Sequence, residues 1–414
     1  MNKPEILAPA GNLEKLKVAI DFGADAVYIG GSKLNLRAFA GNFTNEEILE
    51  GVKYCHDRGR KLYVTMNVFP RNYDLEGAAD YVRGLEKLGV DAILVGDPGL
   101  IAVIKEVAPN MDIHLSTQAN TVNWKTAKFW HDLGVKRIVL AREMSFREIH
   151  GFRDNLPKDC EIEAFVHGSM CMAYSGRCLI SNYILGRDSN KGICANVCRY
   201  KYYLVEETRP NEYFPVFEDE RGTYIMNSKD LCMIKHIPEL VEAGIHSLKI
   251  EGRMKSEFYV ASVVKAYREA LDSYFEDPEN YEFKEEWMNT LLKTSHRPFH
   301  TGFYFGKSGE QTYETSSYVR DYDIVGIVKE YDKETKTATI VQKNRVFEGD
   351  NVDILRAKTP NFQITLEDMY DVEKDTKTDV ANRAHMVFTV KSEVELKEND
   401  MLVKEKETLS LGDN

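Results

Sequence analysis

Nowhere in the 414 residues do apolar side chains run uninterrupted for about eighteen positions, so the sequence offers no helix to cross a bilayer. The opening MNKPEILAPAGN enters an apolar run of only four residues before a turn, too short for a secretion signal, and the expected location is the cytoplasm. Cysteine is scarce: seven residues, an odd number, which argues for reduced thiols and against a disulfide framework. Positive charge is outnumbered, 54 Lys and Arg against 66 Asp and Glu, for a net charge of −12. That excludes the broad positive field of a general nucleic-acid binder, but not a locally basic binding face. No Gly-x-Gly-x-x-Gly follows the first β-type run, which weakens a dinucleotide-binding reading. Ser/His/Asp order, a Gly-x-Ser-x-Gly elbow and a His-Glu-x-x-His pair are all missing as well. Gly302 to Ser308 imitates a phosphate loop, but three residues separate its glycines and aromatics fill it, so it reads as structural.

The few cysteines are not spread evenly. Four of them fall in residues 171–198, as Cys171-x6-Cys178-x15-Cys194-x3-Cys198. Gly168, Gly176, Gly186 and Gly192 surround them, with the cations Arg177, Arg187, Lys191 and Arg199. Thiolates are the preferred ligands of zinc and of iron–sulfur clusters, and four is the number either takes. Zinc sites favour two short Cys pairs, and only Cys194 and Cys198 are close, so the irregular spacing suits a [4Fe-4S] cluster better, with zinc the alternative. A radical-enzyme triplet would need cysteine at 201, where Lys201 stands. Cys232 is a spare ligand that would replace Cys198; Cys55 and Cys160 receive no role.

From residue 5 to about 274, short β-type runs alternate with amphipathic helical patterns. The strand candidates are 6–8, 26–29, 62–67, 92–95, 113–117, 137–141, 162–166 and 247–250, and glycine repeatedly ends the helix before the next run. Apolar strands alternating with helices imply a parallel sheet, and eight units predict an α/β fold of the (β/α)8 TIM-like barrel type over a doubly wound sheet. The expected organisation is a barrel over 1–275 with a cysteine-rich insertion at 168–222, a connector at 276–322, and a small antiparallel β-barrel at 323–410.

In a barrel the cysteine stretch leaves the seventh strand on the C-terminal face, where active sites sit. Asn67, Asp97, Gln118, Asn120, Arg142, Glu143, Glu251 and Arg253 would ring that mouth. Glu251 and His167 are the acid/base candidates, and Asn67, Gln118, Arg142, Arg177 and Arg253 the substrate-binding ones. Each has a plain alternative: a rim salt bridge, or a histidine that merely bonds its loop.

The run Glu163-x-Phe165-x-x-Gly168-Ser169-Met170-Cys171-Met172-x-Tyr174-x-Gly176-x-Cys178-x-Ile180-Ser181 resembles the signature of the peptidase U32 family. The opening LAPAGNLEKLKVAIDFGADAVYIG and the segment SLKIEGRMKS are similar to it too. In length, in GICANVCRYKY and in its C-terminal portion, the chain resembles the branch that hydroxylates uridine at position 34 of tRNA, using prephenate. The resemblance implies an oxygen-independent hydroxylase with a [4Fe-4S] cluster on Cys171, Cys178, Cys194 and Cys198. Arg142 and Arg253 would then anchor the dicarboxylate prephenate. Arg187, Lys191, Arg199 and Lys201 would meet RNA phosphates, and Tyr174 or Tyr200 would stack on a base. Alternatives within the family are a collagenase-like peptidase, a 23S rRNA cytidine hydroxylase, and a cluster-bearing subunit paired with a paralogous U32 protein.

Overall fold

The structure is a computed structural model that describes residues 2–34, 42–170, 229–306 and 318–406, with isolated positions at 181, 185, 187, 195, 197 and 218–219 and 222–223 between them. Eight strands form the central sheet: β1 (Glu5–Pro9), β2 (Ala26–Gly30), β3 (Lys61–Met66), β4 (Ala92–Val95), β5 (Asp112–Leu115), β6 (Arg137–Val139), β7 (Glu161–Ser169) and β8 (Ser247–Ile250). Each pairs parallel with the next in chain order from β1 to β7, and β8 pairs parallel with both β7 and β1. That last pairing closes a barrel. A doubly wound sheet would have left two edges open.

The helices are α1 (Leu13–Asp21), α2 (Asn45–His56), α3 (Ala78–Lys87), α4 (Pro98–Val107), α5 (Trp124–Asp132), α6 (Phe146–Asn155), α7 (Ile237–Glu242) and α8 (Glu257–Glu276), each set between or after barrel strands. Side chains capable of capping start most of them. Asn12, Thr44, Asn123, Ser145 and Ser256 each accept a backbone N–H of the first turn. Asp97, expected at the mouth, does the same for α4, taking the Leu100 N–H at 3.0 Å. The glycines that end α1 and α5 have φ of 112° and 84°, a left-handed conformation that side chains disfavour.

Two layers of burial follow from strand alternation. Outward residues such as Ile6, Ala8, Val27 and Ile29 join the large core beneath the helices. Inward residues Leu7, Ala26, Tyr28, Tyr63, Ala92 and Leu94 form a smaller core inside the barrel. Polar groups share that interior. Arg137 contacts Glu5 at 2.7 Å, Glu161 at 2.7 Å and Glu163 at 3.3 Å, while Lys249 contacts Glu163 at 2.6 Å.

Between β7 and β8, the strand Asp230–Cys232 runs antiparallel to the end of β7. After α8 come helix α9 (Glu285–Leu292) and then Phe299–His300, which pairs parallel with Asp230–Cys232 ahead of the C-terminal portion. This is an antiparallel sheet that curls over its own core, from Val325 and Val328 to Phe388 and Leu402, built by the alternation legible in the sequence. Leu355, Met401 and Val403 instead join the barrel's core, and Lys293 bonds Asp353 across the seam at 2.6 Å. Among the described residues, no helix is long and apolar enough to cross a membrane.

Candidate active site at the barrel mouth

The chain leaves β8 through Glu251, Gly252 and Arg253, and leaves β6 towards Arg142. Arg142 Nη2 lies 2.9 Å from Glu251 Oε2, and its guanidinium stands 4.0 Å above the ring of Phe165 on β7. Arg253, only 4% exposed, approaches Thr65 Oγ at 3.4 Å, and Thr65 in turn donates to the Ile29 carbonyl at 2.9 Å. Arg142, Glu251 and Phe165 thus form one group, and Arg253 with Thr65 a second, both at the C-terminal ends of barrel strands. Planar guanidiniums with restricted exposure suit bidentate recognition of carboxylate or phosphate groups.

The backbone fixes this pair from several sides. Glu251 donates its N–H to the His167 carbonyl at 2.8 Å and accepts from Tyr259 Oη at 2.8 Å. A Cβ on Gly168 would stand 2.5 Å from the Glu251 carbonyl, and one on Gly11 would stand 2.3 Å from the Arg253 carbonyl. Both positions therefore exclude a side chain. Among the other mouth candidates, Ser116 Oγ bonds Gln118 Oε1, Asn67 directly follows β3, and Asn120 adopts a left-handed φ of 51°.

His167 is placed differently from an acid/base at the mouth. A register shift between Lys249 and Ile250 sets His167, not Val166, opposite Ile250. The ring is enclosed by Tyr259, Tyr267 and Phe299, at centroid distances of 5.9, 5.6 and 5.4 Å. Burial, with Lys255 and His296 nearby, pulls its pKa down to about 3, so it is neutral at physiological pH. Among the described residues the ring is packed against three aromatics, and its Nδ1 is buried without a hydrogen-bond partner. Cys232, directly across the ladder from His167, is buried as well, and burial pushes its thiol up to about 12 against a backbone bond from Ile234 and a bond with Tyr267. A thiol so held is poorly disposed to act as a thiolate ligand.

Cys171, Cys178, Cys194, Cys198 and Arg177 lie outside the described residues, as do Tyr174, Lys191, Arg199, Tyr200 and Lys201. Two described neighbours bear on the cysteines. Ser181, fully buried, accepts the Ala195 N–H on its Oγ at 3.0 Å. In the sequence, Ser181 follows Cys178 by three residues and Ala195 follows Cys194 directly. Arg187, exposed, donates its N–H to the Ser181 carbonyl at 3.3 Å.

Sequence reasoning passed over Thr65, Phe165 and Tyr259. The first two carried a signal: each is the inward member of an alternating strand, one pleat below the mouth. Tyr259 carried none, because its role depends on how α8 docks against β8.

Residues 11–314 match the model of peptidase family U32, and residues 320–402 match that family's C-terminal domain. The chain is 43% identical to tRNA hydroxylation protein P1 of Bacillus subtilis, over 98% of this chain and 95% of that one. It is 39% identical to tRNA hydroxylation protein P of Escherichia coli, over 89% of each. It is also 33% identical to a collagenase of Porphyromonas gingivalis, over 77% of each. Both of its portions match, nearly end to end, and the chain belongs to peptidase family U32.

Proposed function

We propose that this chain is an iron–sulfur-dependent enzyme that hydroxylates uridine at position 34 of tRNA without dioxygen, with prephenate as oxygen donor. Support comes from the near full-length likeness to proteins named for tRNA hydroxylation. The observation that carries the cluster reading is in the sequence: Cys171, Cys178, Cys194 and Cys198 gather four of the seven cysteines in residues 171–198, the donor set of a [4Fe-4S] cluster. When bound, the cluster supplies the redox and Lewis-acid chemistry that oxidising a pyrimidine carbon requires.

The chain's own side chains do the rest. Arg253 and Arg142 anchor the carboxylates of the dicarboxylate donor, and Phe165 gives its apolar body a floor. Glu251, paired with Arg142 at 2.9 Å, orients that guanidinium and is the acid/base candidate of this reading. The base enters as a splayed nucleotide, since RNA is read most readily where its bases are unstacked.

Arg253→Ala is expected to raise KM for the donor by about 10- to 100-fold, the worth of one or two charge-assisted hydrogen bonds. Arg253→Lys should recover part of it. Steady-state kinetics with varied donor reads the effect, and an unchanged KM in both variants removes the anchoring role. A peptidase would instead cleave gelatin or collagen in the same preparation and leave tRNA unmodified. Co-purification of a second U32 protein would make the chain one half of a heterodimer.

A further inference from the structure

The connector after α9 folds back against the barrel mouth. His296 and Val319 pair as an isolated antiparallel bridge. Beside it, Lys255 Nζ lies 4.2 Å from the Tyr318 ring centroid, the Arg297 guanidinium 4.6 Å and the Arg320 guanidinium 5.9 Å. Three cations share one aromatic ring. The ring's quadrupole attracts each of them, but they repel one another, and two of the three are not at liberty to swing away. Lys255 Nζ donates to the Ser295 carbonyl at 2.8 Å, and Arg297 is only 3% exposed. Arg320, by contrast, is exposed, so the cluster opens to solvent on that side.

One carboxylate stands close by. Asp230 is buried, and its Oδ2 accepts the Arg297 N–H at 3.1 Å. Among the described residues, its Oδ1 and the Nε2 of His296 are buried without a hydrogen-bond partner. The position matters as much as the charge. Lys255 lies two residues beyond Arg253, and Asp230 pairs with Ser169, two residues before Cys171. The cations therefore flank both the mouth and the root of the cysteine stretch.

We propose that Lys255, Arg297 and Arg320, gathered on Tyr318, form a seat for a backbone phosphodiester of the RNA whose base enters the mouth. This rests on the tRNA reading above and adds a contact to it. A nucleotide splayed into an enclosed pocket leaves its flanking phosphates at the rim, where fixed cations recognise them without reading sequence. On the reading above a small dicarboxylate is held by Arg142 and Arg253, so a second cationic cluster, open to solvent at Arg320, fits the backbone of the larger substrate.

The test is equilibrium binding of full-length tRNA transcript to the whole chain across a salt series, read without turnover. Arg320→Ala, at an exposed position, is expected to weaken binding roughly three- to tenfold and to reduce the slope of log K against log salt by about one. Lys255→Gln should do the same, with metal content and the donor's KM unchanged in both. Unchanged affinity and slope in both variants overturn the seat. So does a rise in the donor's KM with RNA binding intact, which would assign these cations to the small substrate. If the unaltered chain binds no tRNA at all, the tRNA reading falls with it; if it binds and the variants match it, the seat alone falls.

Discussion

Glu163→Ala is expected to lower the free energy of unfolding by about 3–5 kcal/mol, the usual cost of stripping one partner from a buried ion pair. Glu163 is fully buried and meets Lys249 Nζ at 2.6 Å and Arg137 Nη1 at 3.3 Å. Without it, Lys249 faces the rings of Tyr28 and Phe165 at 4.5 and 5.5 Å, which attract a cation but cannot replace a carboxylate. Arg137 keeps Glu5, at 2.7 Å. That contact is strong: burial alone would raise the Glu5 carboxyl, yet Arg137 holds it below the usual carboxylate range. The loss should therefore come mainly from Lys249. Denaturant unfolding reads it, with Lys377→Ala as control: Lys377 pairs with Asp368 at 2.9 Å on the exposed surface, and its removal should leave the midpoint where it was. A Glu163→Ala midpoint equal to that control would show the barrel's polar interior to be energetically idle.

Acid should destabilise the fold well before its carboxylates titrate. His114 stands edge-on to Tyr63 at 4.7 Å, and burial, reinforced by Arg137, Lys249, Lys136 and Lys61, drives its pKa well below the ordinary value. His167, at about 3, behaves alike. A histidine with a depressed folded pKa takes up its proton only in the unfolded chain. Its stabilising effect is full above the unfolded value, near 6.5, and is lost as pH falls from there towards the folded pKa. Each such residue contributes a slope of up to about 1.4 kcal/mol per pH unit, and the two together up to about 2.7, steepest below about pH 6. Glu5, with its pKa lowered, adds loss of the same sign at still lower pH. Unfolding midpoints between about pH 8 and pH 5 measure this, and equal stability at both ends would contradict it. A His114→Gln, His167→Gln double variant should flatten the slope, which separates histidine protonation from any acid release of bound metal.

The barrel was legible because its strands are apolar on both faces and its helices end in glycine, signals that are local and repeated. The C-terminal sheet was legible for the same reason, through alternation around turns. His167 was read as an acid/base candidate from its place between the seventh strand and the cysteines; that Tyr259, Tyr267 and Phe299 surround its ring was not legible, because this depends on the register shift opposite Ile250 and on how α8 packs. The ion network was invisible because Glu5, Arg137 and Glu161 each open a strand, where a charge ordinarily faces solvent. Arg137 and Glu161 are partners on neighbouring strands, but only closure of the barrel brings Glu5 to them. Arg142, Glu251 and Arg253 were legible as strand-end residues, but that Arg142 meets Glu251 depends on β6, β7 and β8 lying side by side. The cations around Tyr318 come from three separate segments, at Lys255, Arg297 and Arg320, and no local pattern joins them.

The most direct measurement is iron and acid-labile sulfide in the chain purified without oxygen, together with its visible absorption. The expected result is about four irons and four sulfides per chain, lost in Cys171→Ala and in Cys194→Ala and kept in Cys232→Ala. Zinc in place of iron, or no metal at all in an anaerobic preparation, would contradict the cluster and leave the peptidase reading to be tested in its place.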